Sequence, residues 1–149
     1  MLKGRALRER AVAIPYARHG ADRDVHYREW LDDVLGEGYD LAAKDPPAAF
    51  LTTVSRSPLV TRGAEPGTYR IDLEHARSLR RRRAEVEAEL ADLVGVMARD
   101  ANPAASLREH RTRLTADLRR LERKTDEIDR VLARADPAAE PEVRVYRVA

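Results

Sequence analysis

Two heptad patterns in the second half of the chain constrain its fold more than any other feature. Within each segment, apolar side chains recur at steps of three, four or seven residues. The first segment has Leu79, Val86, Leu90, Leu93 and Met97, and the second has Leu107, Leu114, Leu118, Leu121, Ile128 and Leu132. Such spacing is typical of two helices that pack as a coiled coil. Arg83 interrupts the first series, and Arg111 and Thr125 interrupt the second.

A short break separates the two patterns. Pro103 prevents one continuous helix, because proline lacks the backbone N–H that a helix interior needs. Asn102 is a suitable N-cap for a second helix with Pro103 at its first position, and Ser106 with Glu109 offers an alternative capping box. Two helices of about 30 residues joined by a turn predict an antiparallel hairpin with arms roughly 40–45 Å long.

A hairpin of two helices has a single apolar seam to bury, and isolated pairs of this kind are marginally stable. Two hairpins can solve this problem by packing together as a four-helix bundle. We therefore predict a homodimer, with an interface formed by Leu90, Leu93, Met97, Leu114, Leu118, Leu121 and Ile128. The alternative is a hairpin that folds back on the N-terminal half of its own chain. Arg83 and Arg111 should then reach solvent or pair with carboxylates and so fix the register.

The composition excludes several classes of protein. Cysteine is absent and the four histidines are scattered, which excludes disulfides, thiolate metal sites and cysteine nucleophiles. The chain has no HExxH, GxSxG or glycine-rich phosphate loop, so we predict no metal, no cofactor and no enzyme activity. No apolar run approaches the ~20 residues that span a bilayer. We therefore expect no membrane partner and a cytoplasmic protein, associated with the nucleoid if it binds DNA.

The first half of the chain has a different composition. Residues 1–71 hold every glycine except Gly95 and every aromatic residue except Tyr146. Apolar spacing predicts three short helices there, and Val25 is a candidate strand contact. Two β-prone runs, at 59–62 and 68–71, flank a loop that contains proline and two glycines, which predicts a β-hairpin.

We predict a mainly α fold with a small β-wing. A winged helix-turn-helix occupies residues 1–71, an antiparallel two-helix coiled coil occupies residues 72–135, and a tail occupies residues 136–149. In that tail, Val143 and Val145 alternate with Arg144. The tail is either a short strand that adds to a sheet edge or a frayed terminus.

Specific residues carry a family resemblance. The segments are His26-Tyr27-Arg28-Glu29-Trp30-Leu31, Gly38-Tyr39, Ala43-Lys44-Asp45-Pro46, Ser55-Arg56 and Pro66-Gly67-Thr68-Tyr69-Arg70-Ile71. Over residues 5–71, approximately, the chain resembles the HARE-type winged helix-turn-helix domain. The resemblance implies DNA binding, in a family often attached to restriction and transcription proteins, and it specifies no target sequence.

The third predicted helix supplies the candidate DNA contacts. A recognition helix turns one face to the core, here Phe50, Leu51 and Val54, and the other to the major groove. The candidates for groove contacts are Thr52, Thr53, Ser55 and Arg56, and Arg56 can form two hydrogen bonds with guanine. Candidates for phosphate contacts are Lys44, Ser57 and Arg62.

The densest positive charge comprises Arg77 and residues 80–83. Arg80 and Arg81 in this cluster could extend a phosphate track that begins at the wing. The alternative is a solvated helix face balanced by Glu85, Glu87 and Glu89.

Two functions are open at this point. The first is a homodimeric protein that binds double-stranded DNA, as a transcriptional regulator or an accessory DNA-recognition protein. The second is a protein-interaction adaptor whose winged helix and coiled coil dock a nuclease or polymerase partner. The net charge of +2 favours the adaptor, whereas the residues of the third helix favour DNA.

Overall fold

The computed structural model describes residues 4–41 and 43–135. Within these residues the chain is mainly helical with a small three-stranded antiparallel sheet, which confirms the predicted mixture of elements. The helices are α1 (Gly4–His19), α2 (Tyr27–Gly36), α3 (Pro46–Ser55), α4 (Leu73–Ala98) and α5 (Ala105–Ala135). The strands are β1 (Val25–His26), β2 (Val60–Arg62) and β3 (Thr68–Ile71). The predicted strand in the tail lies outside the described residues.

Aspartate side chains cap the N-termini of two of the helices. Asp45 caps α3 by accepting a hydrogen bond from the Ala48 N–H at 3.3 Å. Asp72 caps α4 in the same way, with the His75 N–H at 2.9 Å. Each carboxylate satisfies an amide that has no partner within its helix. The predicted cap at Asp45 is therefore confirmed.

The start of α5 differs from the prediction. The helix begins at Ala105, so Asn102 is not its N-cap and Ser106 lies inside the helix. The Asn102 N–H instead donates a hydrogen bond to the Asp100 side chain at 3.0 Å. This local bond makes a turn at the residues that the prediction placed at the helix start.

The sheet has β3 at its centre, between β1 and β2. Val25 lies opposite Tyr69, which confirms the predicted strand contact, and Val60 lies opposite Ile71. Asp24 fixes the loop between β2 and β3 by accepting hydrogen bonds from the Ala64 N–H at 2.9 Å and from Arg70 at 2.7 Å. The bond from Ala64, followed by that from Arg70, holds the pKa of Asp24 below its usual value.

The main core joins α1, α2, α3 and the sheet to the base of the hairpin formed by α4 and α5. Its largest fully buried side chains include Trp30, Phe50, Leu59, Ile71 and Ile128. The hairpin contributes Ala76 and Val131 as well as Ile128 to this core. The compositional boundary after Ile71 therefore coincides with the start of α4 but does not separate two cores. Ile128 is not available to a dimer interface, because it is buried against the N-terminal half.

The distal part of the hairpin has a second, smaller core. Val86, Leu93, Met97 and Leu114 are buried there, and the partly buried side chains Leu90, Leu107, Leu118 and Leu121 pack against them. The predicted dimer interface is therefore wrong for Leu93, Met97 and Leu114, because these side chains close the hairpin itself. The hairpin folds back on its own N-terminal half at its base.

Two of the residues that interrupt the heptads meet across the hairpin. Arg83 donates a hydrogen bond to the buried Thr125 hydroxyl at 2.8 Å and another to Glu87 at 3.0 Å. The bond to Glu87 raises the pKa of Arg83, and Asp126 at 3.7 Å acts in the same direction. Arg111 is exposed. The contact between Arg83 and Thr125 aligns the two helices in one register.

Candidate nucleic-acid interface

The polar side chains of α3 are engaged with their own helix. Thr52 donates its hydroxyl to the Ala48 carbonyl at 3.0 Å, and Thr53 donates to the Ala49 carbonyl at 2.9 Å. Ser55 donates to the Thr52 carbonyl at 3.2 Å. Thr52 and Ser55 are exposed, whereas Thr53 is half-buried. These hydroxyl groups therefore offer an approaching DNA their acceptor lone pairs and, for the threonines, methyl groups.

Ser57 corrects the predicted set of phosphate contacts. Its residue is only 4% exposed, and its hydroxyl accepts a hydrogen bond from the Leu59 N–H at 3.3 Å. The bond stabilises the turn between α3 and β2, where a polar side chain must find an internal partner because it is buried. Ser57 is therefore a structural residue at the end of α3.

Three predicted cations are exposed around α3 and the β2–β3 hairpin. Lys44 precedes α3, Arg56 follows its last turn, and Arg62 ends β2. Within residues 4–41 and 43–135, no carboxylate oxygen lies within 4.0 Å of these three side chains. Their charges are available to a phosphate or a base.

The arginine cluster of α4 is neutralised. Arg77 and Arg81 both contact Glu74 at 3.2 Å, and Arg80 contacts Asp129 of α5 at 2.7 Å. Arg82 contacts Glu85 at 3.4 Å. The structure therefore favours the alternative interpretation of this cluster, a solvated face balanced by acids. It weakens the prediction that Arg80 and Arg81 extend a phosphate track.

A basic groove lies at the far end of α3. It has a volume of about 390 Å³ and is bounded by the start of α1, the end of α3 and the middle of α5. Seven cationic side chains line this groove together with Pro58 and two carboxylates: Arg5, Arg8, Arg56, Arg120, Arg123, Lys124 and Arg130, with Asp126 and Glu127. A second depression of about 560 Å³ lies next to it along α5 and includes Arg113 and Arg119. We call the cavity of about 390 Å³, with its seven cations and two carboxylates, the basic groove.

Two buried carboxylates join α1 to α5 at this groove, because each pairs with arginine on the other helix. Glu127 of α5, with a side chain 6% exposed, accepts two hydrogen bonds from Arg8 of α1, at 2.5 and 2.9 Å. Glu9 of α1, with a side chain 3% exposed, contacts Arg130 at 2.7 Å and Arg134 at 3.3 Å on α5. Because buried carboxylates need such partners, these ion pairs fix α1 against α5.

The remaining cations of the groove are only partly neutralised. Arg5 contacts Glu9 at 3.5 Å, and Arg120 contacts Asp117 on the preceding turn of α5. No carboxylate in the described part of the chain lies within 4.0 Å of Arg56, Arg123 or Lys124. Seven cations face four carboxylates, the two that line the groove together with Glu9 and Asp117, which leaves an excess of positive charge. Positive charge that partly lacks an internal partner is what a phosphate backbone requires.

The sequence interpretation found Arg56 but missed the rest of the groove. Arg113, Arg120, Glu127 and Arg134 are spaced by seven residues along α5, which places them on one face of the helix. That spacing was a usable signal. However, nothing local in the sequence shows that α1 packs beside this face.

Comparisons with protein-family models, with curated proteins and with solved structures find no match to this chain. The candidate interface is therefore argued from its own chemistry.

Two further classes of site were sought among residues 4–41 and 43–135. No cluster of three or more His, Asp or Glu side chains there is arranged to hold a metal ion. In the same part of the chain, no helix combines the length and the apolar character needed to cross a membrane.

Proposed function

We propose that this protein binds double-stranded DNA, with α3 in the major groove and the basic groove on the phosphate backbone. The observation that carries this proposal is the position of Arg56. Its side chain belongs both to the end of α3 and to the lining of the basic groove. One duplex placed against α3 would therefore meet Arg123 and Lys124 of α5 on the same side.

The order of the elements supports a winged helix-turn-helix as the DNA-binding unit. Residues 4–71 run helix, strand, helix, helix, strand, strand, and the sheet has the order β1-β3-β2. In this interpretation α3 is the recognition helix and the β2–β3 hairpin, with the exposed Arg62, is the wing. Lys44 at the entry to α3 adds a further phosphate contact.

The division of labour follows from the chemistry of the side chains. Arginine can bind guanine through two parallel hydrogen bonds, so Arg56 is the candidate for base recognition. Arg123 and Lys124 lie on α5 and would neutralise phosphates, which adds affinity without selecting a sequence. The binding should therefore depend steeply on salt, because each neutralised phosphate releases a counterion.

Fluorescence anisotropy with a labelled duplex tests this proposal. We expect affinity to fall at least about 40-fold between 50 and 200 mM salt, roughly as three or more phosphate contacts require. We expect Arg56→Ala to weaken binding about tenfold. Arg82→Ala is the matched control, because it removes an exposed arginine that is already paired with Glu85. It should change the affinity less than about twofold.

Two results would contradict the proposal. One is an affinity at low salt that does not exceed that of an unrelated protein of similar net charge. The other is an equal loss of affinity in Arg56→Ala and Arg82→Ala. Either result would favour the adaptor function, in which the same surfaces dock a protein.

A further inference from the structure

The distal part of the hairpin has two sides that can be told apart by their ion pairs. On one side, Arg80 of α4 contacts Asp129 of α5 at 2.7 Å. On the other side, Glu89 of α4 contacts His110 of α5 at 3.2 Å. Residues seven apart on a helix lie on the same face. Each ion pair therefore identifies the side on which the residues at seven-residue steps from its two members lie. We call these the Arg80 side and the Glu89 side.

The Glu89 side belongs to the same surface as the basic groove. Seven-residue steps from His110 along α5 lead to Asp117 and Lys124, and Lys124 lines the groove. Val96 also lies on this side, seven residues after Glu89, and is 51% exposed.

On α4, the Arg80 side is poor in charge toward the tip. Seven-residue steps from Arg80 lead to Glu87 and then to Val94, which is 45% exposed. On the neighbouring position of α4, Ala84, Ala91 and Ala98 are exposed. On α5, seven-residue steps back from Asp129 lead to Glu122, Thr115 and Arg108, and the neighbouring position carries Thr112, Arg119 and Asp126. Beyond Glu87, this side therefore presents methyl groups on α4 and two arginines, Arg108 and Arg119, on α5.

At the base of the hairpin, this side continues into an apolar groove of about 350 Å³. Tyr16, Leu73 and Leu132 line the groove, and Arg80 and Asp129, the pair that marks this side, line it as well. The Arg80 side thus runs from the groove at the base, past this ion pair, to Val94 near the tip.

The distal hairpin needs more burial than it has. Beyond the part that packs against α1, its buried side chains are Val86, Leu93, Met97 and Leu114. Two helices that share so few buried residues are marginal in water, because most helical stability comes from packing of the apolar face. A partner on the Arg80 side would supply a second packed face.

The charges of the two helices indicate what that partner is. Between residues 84 and 98, α4 carries four carboxylates and no cation: Glu85, Glu87, Glu89 and Asp92. Between residues 108 and 120, α5 carries five arginines and two carboxylates: Arg108, Arg111, Arg113, Arg119 and Arg120, with Glu109 and Asp117. Of these charges, Glu87 of α4 and Arg108 and Arg119 of α5 lie on the Arg80 side. This side is therefore complementary to itself when α4 of one copy lies against α5 of another.

We propose that a second copy of this chain covers the Arg80 side, as a parallel two-fold dimer in which α4 of each copy packs on α5 of the other. One turn from the Arg83–Thr125 contact toward the tip, α4 has Glu87 and α5 has Leu121. Arg119 follows within one further turn of α5, so it lies at nearly the same level along the hairpin as Glu87. Each interface then joins Glu87 of one copy to Arg119 of the other. The leucine seam stays inside each hairpin. The proposal does not depend on DNA binding.

A pair of valine substitutions tests which side is covered. Val94 and Val96 are on the same helix and similarly exposed, but they lie on opposite sides. Sedimentation of the full chain without DNA should give twice the 16.8 kDa chain mass. Val94→Glu should raise the dimer dissociation constant about 100-fold, because it places two charges in an apolar contact. Val96→Glu should change it less than about threefold.

Charge reversal tests the contact between copies. Glu87→Lys and Arg119→Glu should each weaken the dimer, because each places like charges across both contacts. An equal mixture of the two variants should restore the dimeric mass, since every contact then joins opposite charges. A loss caused by damage within one hairpin would not be restored by mixing.

Three results would overturn the proposal. They are a monomeric mass for the unaltered chain at the highest soluble concentration, equal effects of Val94→Glu and Val96→Glu, or a mixture that remains monomeric. Circular dichroism of each variant should show unchanged helix content. Duplex binding measured in parallel separates this test from that of the DNA-binding proposal, because the Val94→Glu monomer retains Arg56 and the whole basic groove.

Discussion

Arginine is abundant on α4 and around the basic groove, but the two regions use it differently. On α4, Arg77 and Arg81 share Glu74, and Arg82 is paired with Glu85. At the groove, buried carboxylates hold Arg8 and Arg130, while Arg56, Arg123 and Lys124 have no carboxylate within 4.0 Å in the described chain. The arginines of α4 are paired with carboxylates of the same chain, whereas the basic groove keeps positive charge that is available to a partner.

The comparison shows that the density of arginine along a sequence is a poor guide to a binding surface. What matters is which carboxylates the fold brings within reach. Most of the acids that pair with the α4 arginines lie three, four or seven residues away on the same helix, and Asp129 lies directly across the hairpin, so they neutralise the cluster locally. At the groove the cations come from three helices, and the acids that reach them bind only some.

The largest expected effect separates the buried ion pairs of the groove from the exposed ones of α4. Glu9→Gln should lower the free energy of unfolding by about 3 kcal/mol, because it leaves Arg130 and Arg134 without their buried partner. Glu74→Gln, which breaks two exposed pairs, should leave it nearly unchanged. Urea unfolding at neutral pH measures both. Equal values would show that the two kinds of pair do not differ.

The next largest effect compares the two regions as DNA contacts. Replacement of Arg56, Arg123 and Lys124 by alanine should lower duplex affinity at low salt at least about 30-fold. It should reduce the salt slope by about 1.8, because two of the three, Arg123 and Lys124, neutralise phosphates. Replacement of Arg77, Arg81 and Arg82 by alanine removes the same charge from α4. That variant should lose less than about threefold, since its arginines are already paired. Anisotropy titrations decide between them, and a steeper loss in the α4 variant would reverse the comparison.

A smaller effect concerns the acids that begin α4. The His75 N–H, followed by the Thr61 hydroxyl, holds the pKa of Asp72 below its ordinary value of 3.8. Arg81 and then Arg77 hold the pKa of Glu74 below 4.5. Because a lowered pKa favours the ionised folded state, this stability is complete above about pH 5 and is lost as the pH falls through the folded values. Asp72→Ala should cost about 1 kcal/mol at pH 7 and less in acid, as urea unfolding over a pH series would show.

The smallest expected effect is at Thr52. Thr52→Val keeps the shape of the side chain but removes a hydroxyl that already donates to the Ala48 carbonyl. Duplex affinity should therefore change less than about twofold. A loss as large as that of Arg56→Ala would mean that the Thr52 hydroxyl turns toward DNA when it binds.

The sequence predicted most of the elements, because their signals are local. Asp45 with Pro46 marked the start of α3, and the paired β-prone runs marked the β2–β3 hairpin. The start of α5 was misplaced: residues 100–102 form a turn, in which the Asn102 N–H bonds to the Asp100 side chain, and the helix begins only at Ala105. Heptad spacing predicted the hairpin correctly, but it could not show whether a leucine packs within one hairpin or between two.

The candidate site was only half predictable. Arg56 followed from the end of a predicted recognition helix, and Ser57 was misassigned because burial at a turn cannot be read from a polar residue alone. The α5 cations depend on α1, and the contact between Arg8 and Glu127 spans 119 residues of sequence. No local pattern reports a contact at that distance.

That same contact sets an order for folding during synthesis. α1 is made first, yet the buried partners of Arg8 and Glu9, namely Glu127 for Arg8 and Arg130 for Glu9, lie on α5, which is made last among the described elements. On the ribosome, α1, α2, α3 and the sheet can begin to associate, but Glu9 remains without Arg130 until nearly the whole described chain has emerged. Closing so long a loop late is slow compared with forming the hairpin. The basic groove therefore cannot form until α5 has emerged, and an unfinished chain lacks the surface that we propose for DNA binding.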